Sequence, residues 1–233
     1  MTATCFEPPG PVLAAIAGDA RSFPVRRLFC IGRNYAAHAR EMGKDPTREP
    51  PFFFTKWAET VVPAGSTIVY PPGTSSYHYE AELVVAIGAE GFKVSPGEAD
   101  RLIFGYAAGL DMTRRDLQLA ARELGRPWDV AKNVPQSAPL GAITLRSEAR
   151  AIATAAIRLS LNGVEKQSAT IAELIWPVCE LIAEVSAFYR LMPGDLIYTG
   201  TPAGVGPVTP GDHLRVTIDG LSPLEISIGA AWG

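Results

Sequence analysis

In SYHYEAELVVAIG, residues 76 to 88, Glu80 and Glu82 stand two apart in a run otherwise rich in Tyr, Leu, Val and Ile. Alternate side chains of a strand leave the same face, so the two carboxylates stand together while Ala81, Leu83, Val85 and Ile87 leave the other face. Strand rise sets them roughly 7 Å apart. At an effective dielectric of about 20, two like charges at that separation repel by about 2 kcal/mol. A cation between them removes that cost; a half-exposed strand with a polar face is the alternative. Asp111, ending the apolar stretch FGYAAGLDM, is the candidate third ligand, or else an acid at the start of a helix. Three carboxylates with no Cys or His among them form a hard oxygen donor set, suited to Mg²⁺, Mn²⁺ or Ca²⁺ rather than zinc or copper. Such an ion keeps positions for a chelating substrate, whose carbonyl it polarises.

IGRNYAAHAREMG places His38 and Glu41 three residues apart, on one face of a helix. A carboxylate beside an imidazole orients it and raises its basicity, as a base that takes a proton from water requires. An exposed helical ion pair has the same spacing. His78 would share a face with Glu80 and Glu82, as a ligand, a supporting donor, a lining residue or a solvated one, and His213 in PGDHLRVT reads as an edge-strand residue. Basic groups recur nearby: Arg33, Lys56 in FFFTKW, Arg114 and Arg115 after Asp111, and Lys132 in WDVAK. Lys132, read as following a short apolar strand, can stabilise a developing enolate or oxyanion. GTPAGVGP, residues 200 to 207, lacks the Gly-Lys-Ser/Thr ending of a phosphate loop, so a nucleotide site is rejected. Its backbone amides are suited instead to a substrate carboxylate.

These residues have to be carried by short elements, because Gly and Pro punctuate the chain heavily and strand-like runs such as STIVY, ELVVAIG, AIRLSL, DLIYTG and HLRVTI lie between the breaks. Asn162-Gly163 predicts a two-residue hairpin turn. Three helices are predicted. The first is YAAHAREM, capped by Asn34 and ended by Gly43. The second is RRDLQLAAREL, opened by Thr113 in a capping-box-like spacing with Asp116 and closed by Gly125 and Pro127. The third covers about residues 171–191, broken or kinked at Pro177.

With 233 residues, 47% hydrophobic and 19% charged, the chain suits one globular domain, with or without a short N-terminal attachment. A formal charge of −3 argues against nucleic acid as the main partner. Cys5, Cys30 and Cys179 are odd in number and widely spaced, which suggests neither a disulfide framework nor a zinc site and fits a reducing cytoplasm. The N-terminal VLAAIAG run is too short for a signal core or a membrane span. A soluble protein with no membrane partner is expected.

Together, FCIGRNYAAHAREMG, PPFFFTKW, YEAELVVAIG, GYAAGLDMTRRDLQ, GRPWDVAK and GDLIYTGTPAGVGP, in this order, resemble the fumarylacetoacetate hydrolase family, nearest to its small bacterial fumarylpyruvate hydrolases and acylpyruvases. The resemblance runs from about Val25 to Ile228. It implies a β-rich α+β fold, a mixed-sheet β-roll with a few short helices, as a catalytic domain over 25–233 after a small N-terminal α/β region or extension over 1–24, in a homodimer. It also implies that Glu80, Glu82 and Asp111 bind Mg²⁺ or Mn²⁺, and that His38, Glu41 and Lys132 are catalytic. Gln118 and Thr201 contact substrate, and Arg33, Lys56 or Arg115 holds a second carboxylate. The implied reaction is hydrolysis of the carbon–carbon bond of a 2,4-dioxo acid, fumarylpyruvate to fumarate and pyruvate, as in gentisate breakdown. Oxaloacetate decarboxylation, related isomerase or hydratase chemistry, and a non-catalytic binding role are the alternatives, because one fold hosts several chemistries. Two positions depart from the family pattern: Lys56 is followed by Trp57 where proline is common, and Lys132 by Asn133-Val134 where Gly, Ala or Asp and then Phe are more usual.

Overall fold

The computed structural model describes residues 4–41 and 49–231. Its centre is a mixed eight-stranded sheet in which antiparallel strands Ala81–Ile87 and Ile103–Leu110 lie side by side. Strand Asp195–Tyr198 flanks them on one side, followed by Arg27–Gly32 and, at the edge, Phe52–Lys56. Every residue of strand Ala81–Ile87 is buried, which the alternation of the sequence alone did not require. Ala81, Leu83, Val85 and Ile87 pack into one apolar core, against Leu159, Val216 and Ile228 of a second, five-stranded sheet. Val84 and Ala86 pack into another, with Phe23 and Val25 of the hairpin formed by Val12–Ile16 and Asp19–Val25. The hairpin covers the back of the large sheet, and among residues 4–25 it is the N-terminal element; no helix accompanies it there.

Among the described residues, five short helices decorate the sheets: α1 (Ala36–Glu41), α2 (Pro96–Ala99), α3 (Arg115–Glu123), α4 (Asp129–Lys132) and α5 (Val178–Phe188). The expected turn at Asn162-Gly163 is present, both residues with positive φ (52° and 80°), as a type I′ turn between strands Ala156–Leu161 and Val164–Thr170 requires. Pro177 does interrupt the third predicted helix, standing immediately before α5 after a short 3₁₀ turn at Ile171–Glu173. Gly125 closes α3 as expected: at φ 63° it lets the Arg126 N–H reach Ala121 O at 2.8 Å.

Several expectations are corrected. Thr113 does not open α3; it lies in a short strand opposite His78, its hydroxyl donates to Asp111 O, and Arg114 stands at the cap position. Asn34 is buried, and its amide donates to Thr199 O at 2.8 Å and Trp176 O at 3.0 Å while its Oδ1 accepts from the Trp176 N–H at 2.8 Å; it ties two loops together. The Met42 end of the first predicted helix and Gly43 lie outside the described residues. His213 sits on an inner strand, His213–Ile218, between two partners, so it is not an edge residue. Lys132 ends a helix, α4, rather than following a strand.

Candidate active site

Strand pairing explains how the acids meet. The antiparallel register Ala81↔Leu110 continues one step outward as the Asp111 N–H donating to Glu80 O at 2.9 Å, so Asp111 stands directly across from Glu80. Glu82 shares that face two residues on, and its cross-strand partner is Gly109, where a Cβ would run into Val84 and Tyr198. One carboxylate oxygen from each of Glu80, Glu82 and Asp111 lies within 4.8 Å of the others, and all three residues are buried.

Directly opposed like charges destabilise a sheet, and three cations answer them. Lys132 Nζ donates to Glu80 Oε2 and Asp111 Oδ2, both at 2.7 Å. Arg115 pairs with the other oxygen of Glu80 and donates to Gln118 Oε1 at 2.5 Å. Lys56, fully buried, donates to Asp111 Oδ1 at 2.6 Å, Ser137 O at 2.9 Å and Met112 O at 3.1 Å, which exhausts its three donors. It is thereby turned to the back of Asp111 and does not line the cleft. The expectation of a substrate contact for Lys56 gives way to a role in holding a ligand.

The three acids are unequally served. For Glu80, burial raises the carboxyl, yet Lys132 and Arg115 outweigh it and hold it well below the usual range. Lys132 is penalised by burial too, but Asp111 and Glu80 keep its ammonium more firmly protonated than a free lysine. Glu82 accepts a bond from the neutral Gly200 N–H at 2.8 Å, and burial, Asp111 and Glu80 push its carboxyl well up. A buried site of oxygen donors short of positive charge at Glu82 suits a hard divalent cation, so the residues present fit such an ion.

His38 and Glu41 are together on α1, Nδ1 to Oε2 at 3.0 Å, with His38 buried and lining the same cleft as the acids. Glu41 is held in turn by the Gly204 N–H, at 3.1 Å to Oε1. The glycine-rich loop therefore does present amides to carboxylates, but to the protein's own: Gly200 to Glu82 and Gly204 to Glu41. Both glycines have φ near the left-handed limit (99° and 95°), and a Cβ would approach Asn34 Cβ to 2.7 Å or Lys166 O to 2.1 Å. Only glycine fits.

Arg33, Gln118 and Thr201 line the cleft, with Arg33 stacked 5.0 Å from the Phe52 ring centre. Thr201 Oγ1 accepts from Gln167 Nε2 at 2.8 Å, which leaves its own proton free to donate. His78 stands apart from the ligand cluster, its Nε2 bonded to Ser76 Oγ at 3.0 Å. Sequence reasoning missed Phe52, Phe54, Leu119, Arg122 and Trp128, which also line the cleft. The alternation of Phe52 and Phe54, and the seven-residue spacing of Arg122 from Arg115, are signals that point to them. The two departures from the family pattern touch: the Trp57 N–H, which a proline would lack, donates to Asn133 Oδ1 at 2.9 Å.

Residues 27–228 match the family described as fumarylacetoacetate (FAA) hydrolase C-terminal. The chain belongs to the fumarylacetoacetate hydrolase family. Within it, the chain is 50% identical to a fumarylpyruvate hydrolase of a Ralstonia species, over 80% of this chain and 97% of that protein. It is 37% identical to an oxaloacetate tautomerase of Escherichia coli strain K12, over 88% and 94%. Among solved structures, the crystal structure of fumarylpyruvate hydrolase from Pseudomonas aeruginosa in complex with Mn²⁺ and pyruvate is 50% identical and superposes with a TM-score of 0.95, covering 98% of this chain and all of that one. The mixed curled sheets with few short helices are the family's fold.

Proposed function

We propose that the protein is a divalent-metal-dependent hydrolase that cleaves the carbon–carbon bond of an acylpyruvate, converting fumarylpyruvate to fumarate and pyruvate. The observation that carries this reading is a triad of buried carboxylates in one cleft with a histidine whose Nδ1 is already bonded to a carboxylate. The half-identical Ralstonia and Pseudomonas relatives support the substrate. Glu80, Glu82 and Asp111 would hold Mg²⁺ or Mn²⁺, which would supply Lewis acidity to a bound keto acid.

The chain's own residues do the rest. His38, oriented by Glu41, takes a proton from water through Nε2. The hydroxide adds to carbon 4, the bond between carbons 3 and 4 breaks with its electron pair going to carbon 3, and fumaric acid separates. His38 returns its proton to carbon 3, giving pyruvate, and the fumaric acid ionises. Lys132 spends two donors on Glu80 and Asp111 and has a third for the enolate oxygen that develops during cleavage. Thr201 and the amide of Gln118 offer further donors to substrate oxygens. Arg115 and Lys56 hold Glu80 and Asp111.

The test is product analysis on fumarylpyruvate, acetylpyruvate and oxaloacetate with Mg²⁺ or Mn²⁺. Fumarate and pyruvate in equal amounts are expected; keto–enol interconversion of oxaloacetate with no acylpyruvate cleavage replaces the hydrolase with the reaction named for the Escherichia coli relative, and fast carbon dioxide release replaces it with a decarboxylase. The step fits gentisate breakdown in aromatic catabolism. Three unpaired cysteines fit the cytoplasm. A homodimer fits the exposed Trp57, Val130, Phe188 and Tyr189 near the open edge of strand Phe52–Lys56. Light scattering measures that directly.

A further inference from the structure

Charge is distributed unevenly along the cleft. At its deep end, Glu80, Glu82 and Asp111 face Lys56, Lys132 and Arg115, three formal negatives against three positives. Farther along the same cleft, Arg33 and Arg122 have no carboxylate partner among the described residues. Arg115 gives one N–H of each terminal nitrogen to the protein itself, to Gln118 and to Glu80, which holds its guanidinium at the acid triad.

Helix α3 explains where Arg122 points. Arg115, Gln118, Leu119 and Arg122 all line the cleft, which is the i, i+3, i+4, i+7 stripe of one helical face. The rise per residue puts Arg122 roughly 10 Å along the axis from Arg115. An extended seven-carbon chain, six bonds of about 1.5 Å, brings its far carboxylate within hydrogen-bond reach of that position when its near end lies by the acid triad. The Arg33 guanidinium, which lines the same cleft, is fixed over the Phe52 ring and carried on a left-handed backbone at φ 56°. Phe52 meets Trp128 edge to face at 5.5 Å, so the space between the two charged ends is walled by flat apolar rings. A planar unsaturated chain with a carboxylate at each end matches that order of charge, rings and charge.

We infer that Arg122, together with Arg33, forms a subsite for the distal carboxylate of a dianionic substrate, and so sets the preference for a dicarboxylic over a monocarboxylic acylpyruvate. The inference rests on the acylpyruvate reading above and names the residue that selects within that class. A solvated arginine in the last turn of a helix, favoured there by the helix dipole, makes the contrary prediction that substrate choice is indifferent to it.

The experiment compares kcat/KM for fumarylpyruvate and acetylpyruvate in the Mn²⁺-loaded full chain and in Arg122→Leu, Arg122→Lys and Arg158→Leu. Arg158 lies on a strand outside the cleft, paired with Asp219 on an exposed face, and controls for net charge. Arg122→Leu is expected to lower the fumarylpyruvate-to-acetylpyruvate ratio by roughly tenfold to a hundredfold, the worth of a charge-assisted hydrogen bond. The loss should fall mainly on KM, with partial recovery in Arg122→Lys. Tryptophan fluorescence titrated with fumarate gives a readout apart from turnover, and its dissociation constant should rise in Arg122→Leu by a similar factor. An unchanged ratio with unchanged fumarate binding overturns the inference, as does an equal fall in Arg158→Leu. A wild-type protein that cleaves neither acylpyruvate overturns the proposed function instead, and fumarate binding then still reports on Arg122.

Discussion

At the scale of single residues, the two lysines on Asp111 look interchangeable in the sequence and are opposite in role. Lys132 reaches the acids from the cleft side and has a donor to spare, whereas Lys56 is sealed behind Asp111 with all donors used. Lys56→Met should therefore leave Asp111 short of a buried counter-charge and cost about 3–5 kcal/mol of stability, read as a lower melting temperature together with weaker metal binding. A variant as stable as the wild type removes Lys56 from the ligand's support. His38→Ala should depress acylpyruvate cleavage by about 10²–10⁴-fold while Mn²⁺ affinity by calorimetry stays the same. Turnover unaffected by that change would take His38 out of the chemistry. The Glu80–Glu82 and His38–Glu41 pairs were legible as chemical types at a local spacing, whereas Asp111 and Lys132 were candidates from their sequence context and the family resemblance alone. The role of Lys56 was not, since its partners are 55 and 81 residues away.

At the scale of elements, register and loop conformation convert spacing into a site. Strand alternation put Glu80 and Glu82 on one face, but the pairing of Ala81 with Leu110 is what brought Asp111 against Glu80. The Trp57–Asn133 bond joins the end of strand Phe52–Lys56 to the end of α4, one residue beyond each of the lysines that hold Asp111. Asn133→Ala would leave the Trp57 N–H without that acceptor. The expected result is a lower kcat, with the metal dissociation constant weakened several-fold and partial rescue by Asn133→Asp. Identical kinetics and metal affinity in Asn133→Ala would show that the link positions nothing. Hydrophobic periodicity predicts an apolar stripe of Leu174, Leu181, Ile182, Val185 and Phe188, of which the first four are buried and Phe188 is exposed, and the proline that precedes α5 was readable. The cap of α3 was misread because Thr113 was drawn into a strand opposite His78, a tertiary pairing that overrides local capping preference.

For the whole molecule, acid sensitivity follows from carboxylates outside the cleft. Burial raises Asp116, but bonds from Thr74 Oγ1 at 2.6 Å, the Leu117 N–H at 2.9 Å and the Ser75 N–H at 3.0 Å outweigh it, so its carboxyl lies below the ordinary value. Asp212 is lowered in the same way against burial, by Thr209 and Asn162. A carboxyl depressed on folding contributes stability that is complete above its unfolded value, about 3.9, and is lost as pH falls through the folded one. Melting temperature should thus drop below about pH 4, and the drop should be shallower in the Asp116→Asn, Asp212→Asn double variant. Parallel melting curves for the two proteins would assign acid sensitivity elsewhere.

The kinds of chemistry available to this chain were settled by sequence alone, because hard oxygen donors, a histidine beside an acid and short strands between Gly and Pro breaks are local properties. It took tertiary structure to decide who serves whom: Gly200 bonding Glu82, Gly204 bonding Glu41, Lys56 behind Asp111, and two arginines along the cleft with no carboxylate partner among the described residues. Those choices depend on strand register and on loops that cross between distant segments. Buried charge makes each of them costly to change, and no spacing along the chain encodes them.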